Sequence, residues 1–342
     1  MRDTEYVAGN SQGKPSSVVR RPSSVPAIAF EGVTKQFPSA SDPAVDNVSL
    51  EVEQGSLVVL LGPSGCGKTT LLKMVNRLYE HDSGRILFEG QEIRSFKATD
   101  LRRRIGYVIQ STGLFPHMTV ARNIATVPQL LHWDKARIAS RIDELLELVG
   151  LPAGEYRERY PQQLSGGQQQ RVGLARAIAA DPHVMLMDEP FAAIDNITRR
   201  RLQDELLSIQ GKVRKTILFV THDVEEAIRL ADKIAVMERG KVVQYDTPLS
   251  ILSAPASEFV ASLVGAEDVL RRLSLLSVKT AMRPANGEAI TPNDATLPST
   301  TTLREALGLL LSSNADRLAI VDADGTPIGM VDIAAIKQAI GQ

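Results

Sequence analysis

The stretch Leu57-Val58-Val59-Leu60-Leu61-Gly62-Pro63-Ser64-Gly65-Cys66-Gly67-Lys68-Thr69-Thr70 decides the fold. Its first five residues are apolar without alternation, the pattern of a short strand covered on both faces in a parallel sheet. The strand runs directly into Gly62–Thr70, which matches the phosphate-binding pattern G-x-x-x-x-G-K-[ST], and then into an apolar helix. Glycines at these positions let backbone N–H groups turn inward, and the helix N-terminus adds positive potential. Gly62, Pro63, Ser64, Gly65, Cys66, Gly67, Lys68, Thr69 and Thr70 are therefore the expected cradle of a nucleotide's phosphates. Lys68 is expected to reach the β- and γ-phosphates and Thr69 to bind Mg²⁺ through its hydroxyl.

Working outward, Val184–Met187 and Thr216–Val220 repeat the buried-strand type, each ending in polar residues. Ligands of such sheets bind at the carboxyl ends of the strands, so three runs aim their polar ends at one place. Asp188 and Glu189 follow the second run. Asp188 is placed to hold a Mg²⁺ shell and Glu189 to polarise water, although an acidic pair after a strand can also cap a helix. Upstream, Ala27–Phe30 and Val48–Val52 alternate as half-buried antiparallel strands do. Between about 111 and 165 strands are not expected. There, Asp134 can cap a helix whose Ile138, Ile142, Leu145, Leu146 and Val149 form one apolar face, with Gly150 at its stop.

Leu164-Ser165-Gly166-Gly167-Gln168-Gln169-Gln170-Arg171 makes the reading specific. With the P-loop and Asp188-Glu189, this stretch resembles the signature of ATP-binding cassette (ABC) subunits. The resemblance covers 28–247 and implies an α/β fold: a P-loop NTPase cassette with a parallel-sheet core, an antiparallel β subdomain and an inserted helical subdomain. It implies a head-to-tail homodimer with ATP at the seam, in which Ser165, Gly166, Gly167 and Gln168 cap the γ-phosphate held by the opposite subunit. Gln110, at the end of the Ile105–Ile109 strand, resembles the Q-loop glutamine that senses Mg²⁺ and attacking water. His222 resembles the switch histidine, and Asp195 the D-loop aspartate at the dimer seam. Ala192 stands where the family often has serine, removing one hydroxyl from that seam. Phe37 stands where an aromatic usually stacks on adenine, with core packing as its other reading. Cys66 is read as a small residue, with a thiolate favoured by the helix N-terminus as the alternative.

The formal net charge of −1 gives no reason to expect nucleic acid as a partner. No apolar run approaches the roughly 18–20 residues of a membrane span, and the first 26 residues lack the apolar core of a secretory signal. A single cysteine excludes an intrachain disulfide and fits a reducing compartment. One cassette, no span and no coiled-coil insertion resemble an importer subunit on the cytoplasmic face of the membrane. Membrane-embedded permease subunits and, indirectly, a solute-binding protein are then the expected partners. Gly113–Val120 resembles the importer surface that receives a permease helix, the alternative being core of the helical subdomain.

The expected organisation is a disordered arm at 1–26, or an arm that binds a partner through Arg20 and Arg21. A nucleotide-binding domain follows at 27–265, then a linker at 266–298 and a compact α+β piece at 299–342. The last resembles a single CBS module. A cassette fused to CBS sequence resembles the ATPase subunits of quaternary-amine importers of the glycine betaine, choline and proline type. Another importer cassette, for amino acids or oxyanions, and a non-transport ATPase are the alternatives. Asp332 stands where nucleotide-binding CBS modules tend to have Ser or Thr, and Ala335 where they have Asp. The expectation is a structural module with Asp332 capping the final helix.

Overall fold

The computed structural model describes residues 25–38, 40–109, 113–192, 196–284, 295–313 and 315–340. Gln110, Asp195 and the expected arm up to residue 24 lie outside the described residues.

Among the described residues the backbone forms three sheets. The first is antiparallel and has the order β2-β1-β4-β5, from β1 (Ile28–Lys35), β2 (Val45–Val52), β4 (Ser83–Phe88) and β5 (Gln91–Glu92). Pairing Ile28 with Val52 and Phe30 with Leu50 puts the alternating apolar residues on one face, as the sequence pattern requires. The central sheet has the order β10-β9-β3-β8-β7-β6. It comprises β3 (Leu57–Leu61), β6 (Ile105–Val108), β7 (Val184–Asp188), β8 (Thr216–Thr221), β9 (Lys233–Glu238) and β10 (Lys241–Asp246). Its pairs are parallel except for the β9–β10 edge. Strand β9 was not read from sequence, because Lys233–Glu238 ends in charge on both sides.

The unbroken apolar strands serve two cores at once. Leu57, Val59 and Leu61 of β3, with Met185, Met187, Ile217 and Phe219, face one cluster. Val58 and Leu60, with Val184, Leu186, Leu218 and Val220, face the other. Successive side chains point to opposite faces of a strand, so a strand buried on both must be apolar throughout. The second cluster is closed by the antiparallel sheet and by helix α1 (Lys68–Val75). The first is closed by α2 (Val120–Leu130), α3 (Lys135–Leu148), α4 (Gly166–Ile178), α5 (Asn196–Val213) and α6 (Val224–Leu230). As expected, Asp134 caps α3 by accepting from the Arg137 N–H at 2.8 Å, and Gly150 takes a left-handed φ of 66° just beyond it.

The third sheet, β11 (Thr296–Pro298), β12 (Arg317–Val321) and β13 (Pro327–Asp332), packs with α7 (Leu303–Ser313) and α8 (Ile333–Ile340) around a separate core. Asp332 caps α8 through the Ala335 N–H at 2.6 Å. The stretch expected as linker, 266–298, requires correction. Leu273, Val278 and Ala281 are buried in this third core, and β11 lies parallel to β12 before residue 299. Isolated apolar side chains at those three positions carry no period in the sequence, yet they bury residues 273–281 against this core.

Helix α4 crosses β6 so closely that a Cβ on Gly106 would sit 2.6 Å from the Ala177 carbonyl oxygen. Gly106→Ala is expected to push α4 off the sheet, lowering stability by about 1–3 kcal/mol, that is, several degrees in Tm. Thermal unfolding of the purified chain checks this; an unchanged Tm would mean that α4 can shift freely.

Candidate nucleotide site

The register of the central sheet builds the site. Leu61 lies opposite Thr221, and Asp188 opposite Val220, so the loops after β3, β7 and β8 leave the sheet side by side. The first of these, Gly62–Gly67, curls tightly before α1. Gly67 has φ 106°, and a Cβ there would land 2.1 Å from the Ala44 carbonyl oxygen. Gly65, at φ 81°, has open space where a Cβ would be. Both positions need glycine, one for conformation and close approach and one for conformation alone. Pro63, Ser64 and Gly65 form the exposed rim, with Thr70 half-buried in the first turn of the helix. Lys68 is buried and donates to the carbonyls of Gly62 at 2.7 Å and Pro63 at 2.9 Å. Its ammonium thus lies in the hollow of the loop, where inward-facing N–H groups and a helix N-terminus favour an anion.

Thr69 donates its hydroxyl to the Asp188 Oδ1 at 2.8 Å. Burial pushes the Asp188 carboxyl above the usual carboxylate range, against the Thr69 hydrogen bond and the Lys73 and Lys68 cations. A desolvated carboxylate beside a hydroxyl is a donor pair suited to a small hard cation such as Mg²⁺. Glu189 follows with φ 44°, a left-handed conformation that costs a non-glycine residue energy. Its N–H is tied to the Val220 carbonyl at 3.0 Å, which turns the carboxylate out of the sheet. There the Glu189 Oε1 lies 3.2 Å from the His222 Nδ1, with His222 half-exposed and Glu189 mostly covered. A close carboxylate–imidazole pair beside an anion cradle can orient water and follow a phosphate's charge.

Ser165 caps α4. Its hydroxyl accepts from the Gln168 N–H at 3.3 Å, and the Gln168 side chain accepts from the Ser165 N–H at 2.9 Å. Ser165 and Gly166 are exposed and Gly167 partly so, leaving an open helix start of 13 residues with no acidic residue in its first turn. The Ser165–Gln168 turn bonds within itself and, through Gln168, to the Tyr156 hydroxyl at 3.1 Å. It does not join the Lys68–Asp188–Glu189–His222 cluster of its own chain by any of these bonds. Gln170, one turn on, donates to the Pro190 carbonyl and so ties α4 to the loop that carries Glu189.

Phe37 is half-buried and meets Tyr79 edge-to-face at 5.3 Å, on the rim rather than in a core. Cys66 differs from the thiolate reading. Burial pushes its thiol up, outweighing the nearby Lys68, so it behaves as a small packing residue. Residues 115–117 are exposed, so Gly113–Val120 is surface there and not core. Fully buried Asn123 holds this turn, accepting from the Phe115 N–H and donating to the carbonyls of Phe115, Met118 and Thr119 at 2.8–3.2 Å. Asn123 was missed because a lone asparagine in a helix carries no spacing signal. Missed also were the buried Glu226 and its partner Gln203; the pattern Asp223-x-x-Glu226, a helix-start signature, was the available cue.

With this geometry in hand, comparison with known proteins is direct. Residues 45–192 match the ABC transporter family model and residues 287–342 the CBS domain model. The chain is 51% identical, over 88% of its own length and 96% of the relative's, to the glycine betaine uptake system ATP-binding protein YehX of Escherichia coli. It is 45% identical, over 91% of its length and 80% of the relative's, to the glycine betaine/carnitine/choline transport ATP-binding protein OpuCA of Bacillus subtilis. Among solved structures, the dimeric ATP-binding cassette MJ0796 bound to ADP and Pi superposes with TM-score 0.58 at 29% identity, covering 65% of this chain and 98% of that one. Together with a P-loop, an acidic pair and a capped signature helix, 51% identity over 96% of such a relative places this chain among the ATP-binding subunits of ABC transporters, and it is an ATPase.

Proposed function

We propose that the chain powers an importer of glycine betaine, choline or related quaternary amines. The observation that carries this reading is 51% identity over 88% of this chain, more than the cassette alone spans, to a glycine betaine uptake protein. A cassette-only likeness would leave the solute open. The enzyme's substrate is ATP. Phe37 would stack on adenine, and the Gly62–Thr70 loop with Lys68 would bind the phosphates. Thr69 and Asp188, with Gln110, would hold Mg²⁺, which supplies charge neutralisation on the β- and γ-phosphates.

Within each site Glu189 orients the attacking water, and His222, 3.2 Å from it, contacts the γ-phosphate. The exposed Ser165–Gln168 turn, which bonds to nothing in its own chain's cluster, completes the site of a second copy, with Asp195 at the seam. That arrangement calls for a head-to-tail homodimer, a reading supported by the dimeric cassette of similar fold. Chemistry then consists of positioning and charge stabilisation. The exposed Phe115-Pro116-His117 turn is the surface we assign to the permease. No helix among the described residues is long and apolar enough to cross a membrane. We assign the spans to that partner and the chain to the membrane's cytoplasmic face, as its likeness to import ATP-binding proteins supports. The C-terminal module is structural: the Asp332 carboxylate, engaged at the cap of α8 and 3.5 Å from Arg283, would repel a phosphate there.

Glu189→Gln is expected to keep ATP affinity and lower turnover by about 10²–10⁴-fold. Steady-state hydrolysis and nucleotide binding by the purified chain measure both, and near-normal turnover would remove Glu189 from this role. In cells stripped of their own osmoprotectant uptake, the chain with its permease should import labelled glycine betaine or choline, and the Glu189→Gln form should not. Equal uptake by both forms, or none of any quaternary amine, would redirect the assignment to another solute. The full-length Lys68→Ala variant should show no saturable binding of micromolar AMP; binding would make the module a sensor.

A further inference from the structure

The first turn of α5 touches two functional segments of the same chain. On one side, Arg199 reaches the switch histidine's segment. Its Nη1 donates to the Asp223 Oδ2 at 3.1 Å, and its Nε lies 3.7 Å from the Glu226 Oε1. Glu226 is buried and receives the Thr221 hydroxyl at 2.7 Å and the Gln203 amide at 3.3 Å. The Asp223 N–H in turn donates to the Thr221 Oγ1 at 3.0 Å. His222 is therefore held on both sides: Thr221 is pinned from below by Glu226, and Asp223 from the side by Arg199. On the other side of the turn lies the signature. A Cβ on Gly167 would come within 3.2 Å of the Thr198 methyl group.

These contacts are not incidental packing. Thr221, Gln203 and Glu226 are all buried polar groups, and each would cost stability if left unmatched. The buried Glu226 carboxylate is engaged by Thr221, Gln203 and Arg199 and has no part in the chemistry described above. Its partners leave it one role, the placement of the segment that carries His222.

We propose that Arg199, with Glu226, is a positioning residue for His222, and that Thr198 packed against Gly167 ties this placement to the signature turn. The inference rests on the assignment of His222 to the γ-phosphate. Because the signature turn serves the partner's site while His222 serves its own, one helix turn then links the two sites of a dimer. A shift of α5 on one side is felt on the other, since both contacts fall within two consecutive residues of a rigid helix.

A double-mutant cycle on ATP hydrolysis by the full chain tests this. Arg199→Ala should lower kcat between about tenfold and a hundredfold, the penalty for displacing an acting group by about 1 Å. ATP affinity should change little, and Arg199→Lys should recover part of the loss by keeping the charge at Asp223. The Arg199→Ala/His222→Ala double variant should be no slower than His222→Ala alone, because Arg199 acts only through His222. The Hill coefficient for ATP should fall in Arg199→Ala. Multiplicative losses in the double variant would overturn the inference and leave the site assignment standing. So would wild-type kcat in Arg199→Ala, or a loss that follows Tm and is not relieved by lysine. Near-normal hydrolysis by His222→Ala would instead overturn the site assignment, and this inference with it.

Discussion

Everything in the site hangs from the register of three neighbouring parallel strands. Because Leu61 lies opposite Thr221 and Asp188 opposite Val220, the phosphate loop, the acidic pair and the histidine emerge at one level of the sheet. A slip of one residue would exchange the two faces of a strand and bury the wrong set against each core. That slip is resisted on both sides, since each face of β3, β7 and β8 contributes to a distinct apolar cluster. The chemistry is thus set by strands that take no part in it. The loops themselves are short and strained, as Glu189 at φ 44° shows.

Much of this was legible in the sequence for a physical reason: local rules and global fold agreed. The run Leu57–Leu61 is apolar because both faces are covered, the glycines are where conformation or close approach demands them, and Asp134 and Ser165 stand at helix starts. What was not legible depended on contacts distant in sequence. The partner of Thr69 is Asp188, 119 residues on, and the partner of Arg176 is the Gly113 carbonyl, 63 residues back. Periodicity does not encode which polar side chain meets which carbonyl. Cys66 fits its reading as a small residue: a helix N-terminus favours thiolate in general, but here burial outweighs it. Residues 273–281, expected to be linker, belong to the C-terminal core because three scattered apolar residues, too few to show a period, are enough to bury them there.

Helix α4 shows how a motif can be functional at one end and structural along the rest. Its start is exposed and capped, offering unpaired N–H groups and the positive end of its dipole. Further along, Gln170 bonds the Pro190 carbonyl, Arg171 pairs with Glu205 at 2.8 Å, and Arg176 reaches the Gly113 carbonyl at 2.6 Å. One rigid element therefore contacts the Glu189 loop, α5 and the exposed turn assigned to the permease. Sub-ångström adjustments at the helix start are not absorbed locally when the following turns are bonded to three other segments. Through Arg176, whose guanidinium also lies 5.9 Å from the Phe115 ring, the helix reaches the exposed turn directly.

The C-terminal module is joined to the cassette by packing as well as by chain. The short helix Val269–Leu273 contacts the cassette helix Pro248–Ser253 on one side and both α7 and α8 on the other. Leu273 is fully buried in the module's core, and Arg271 bonds the Val264 carbonyl at the end of the preceding cassette helix. Gly265, at φ 62°, ends that helix and sets the direction in which the chain leaves. Any change in the module's own packing would therefore move a helix that also rests on the cassette.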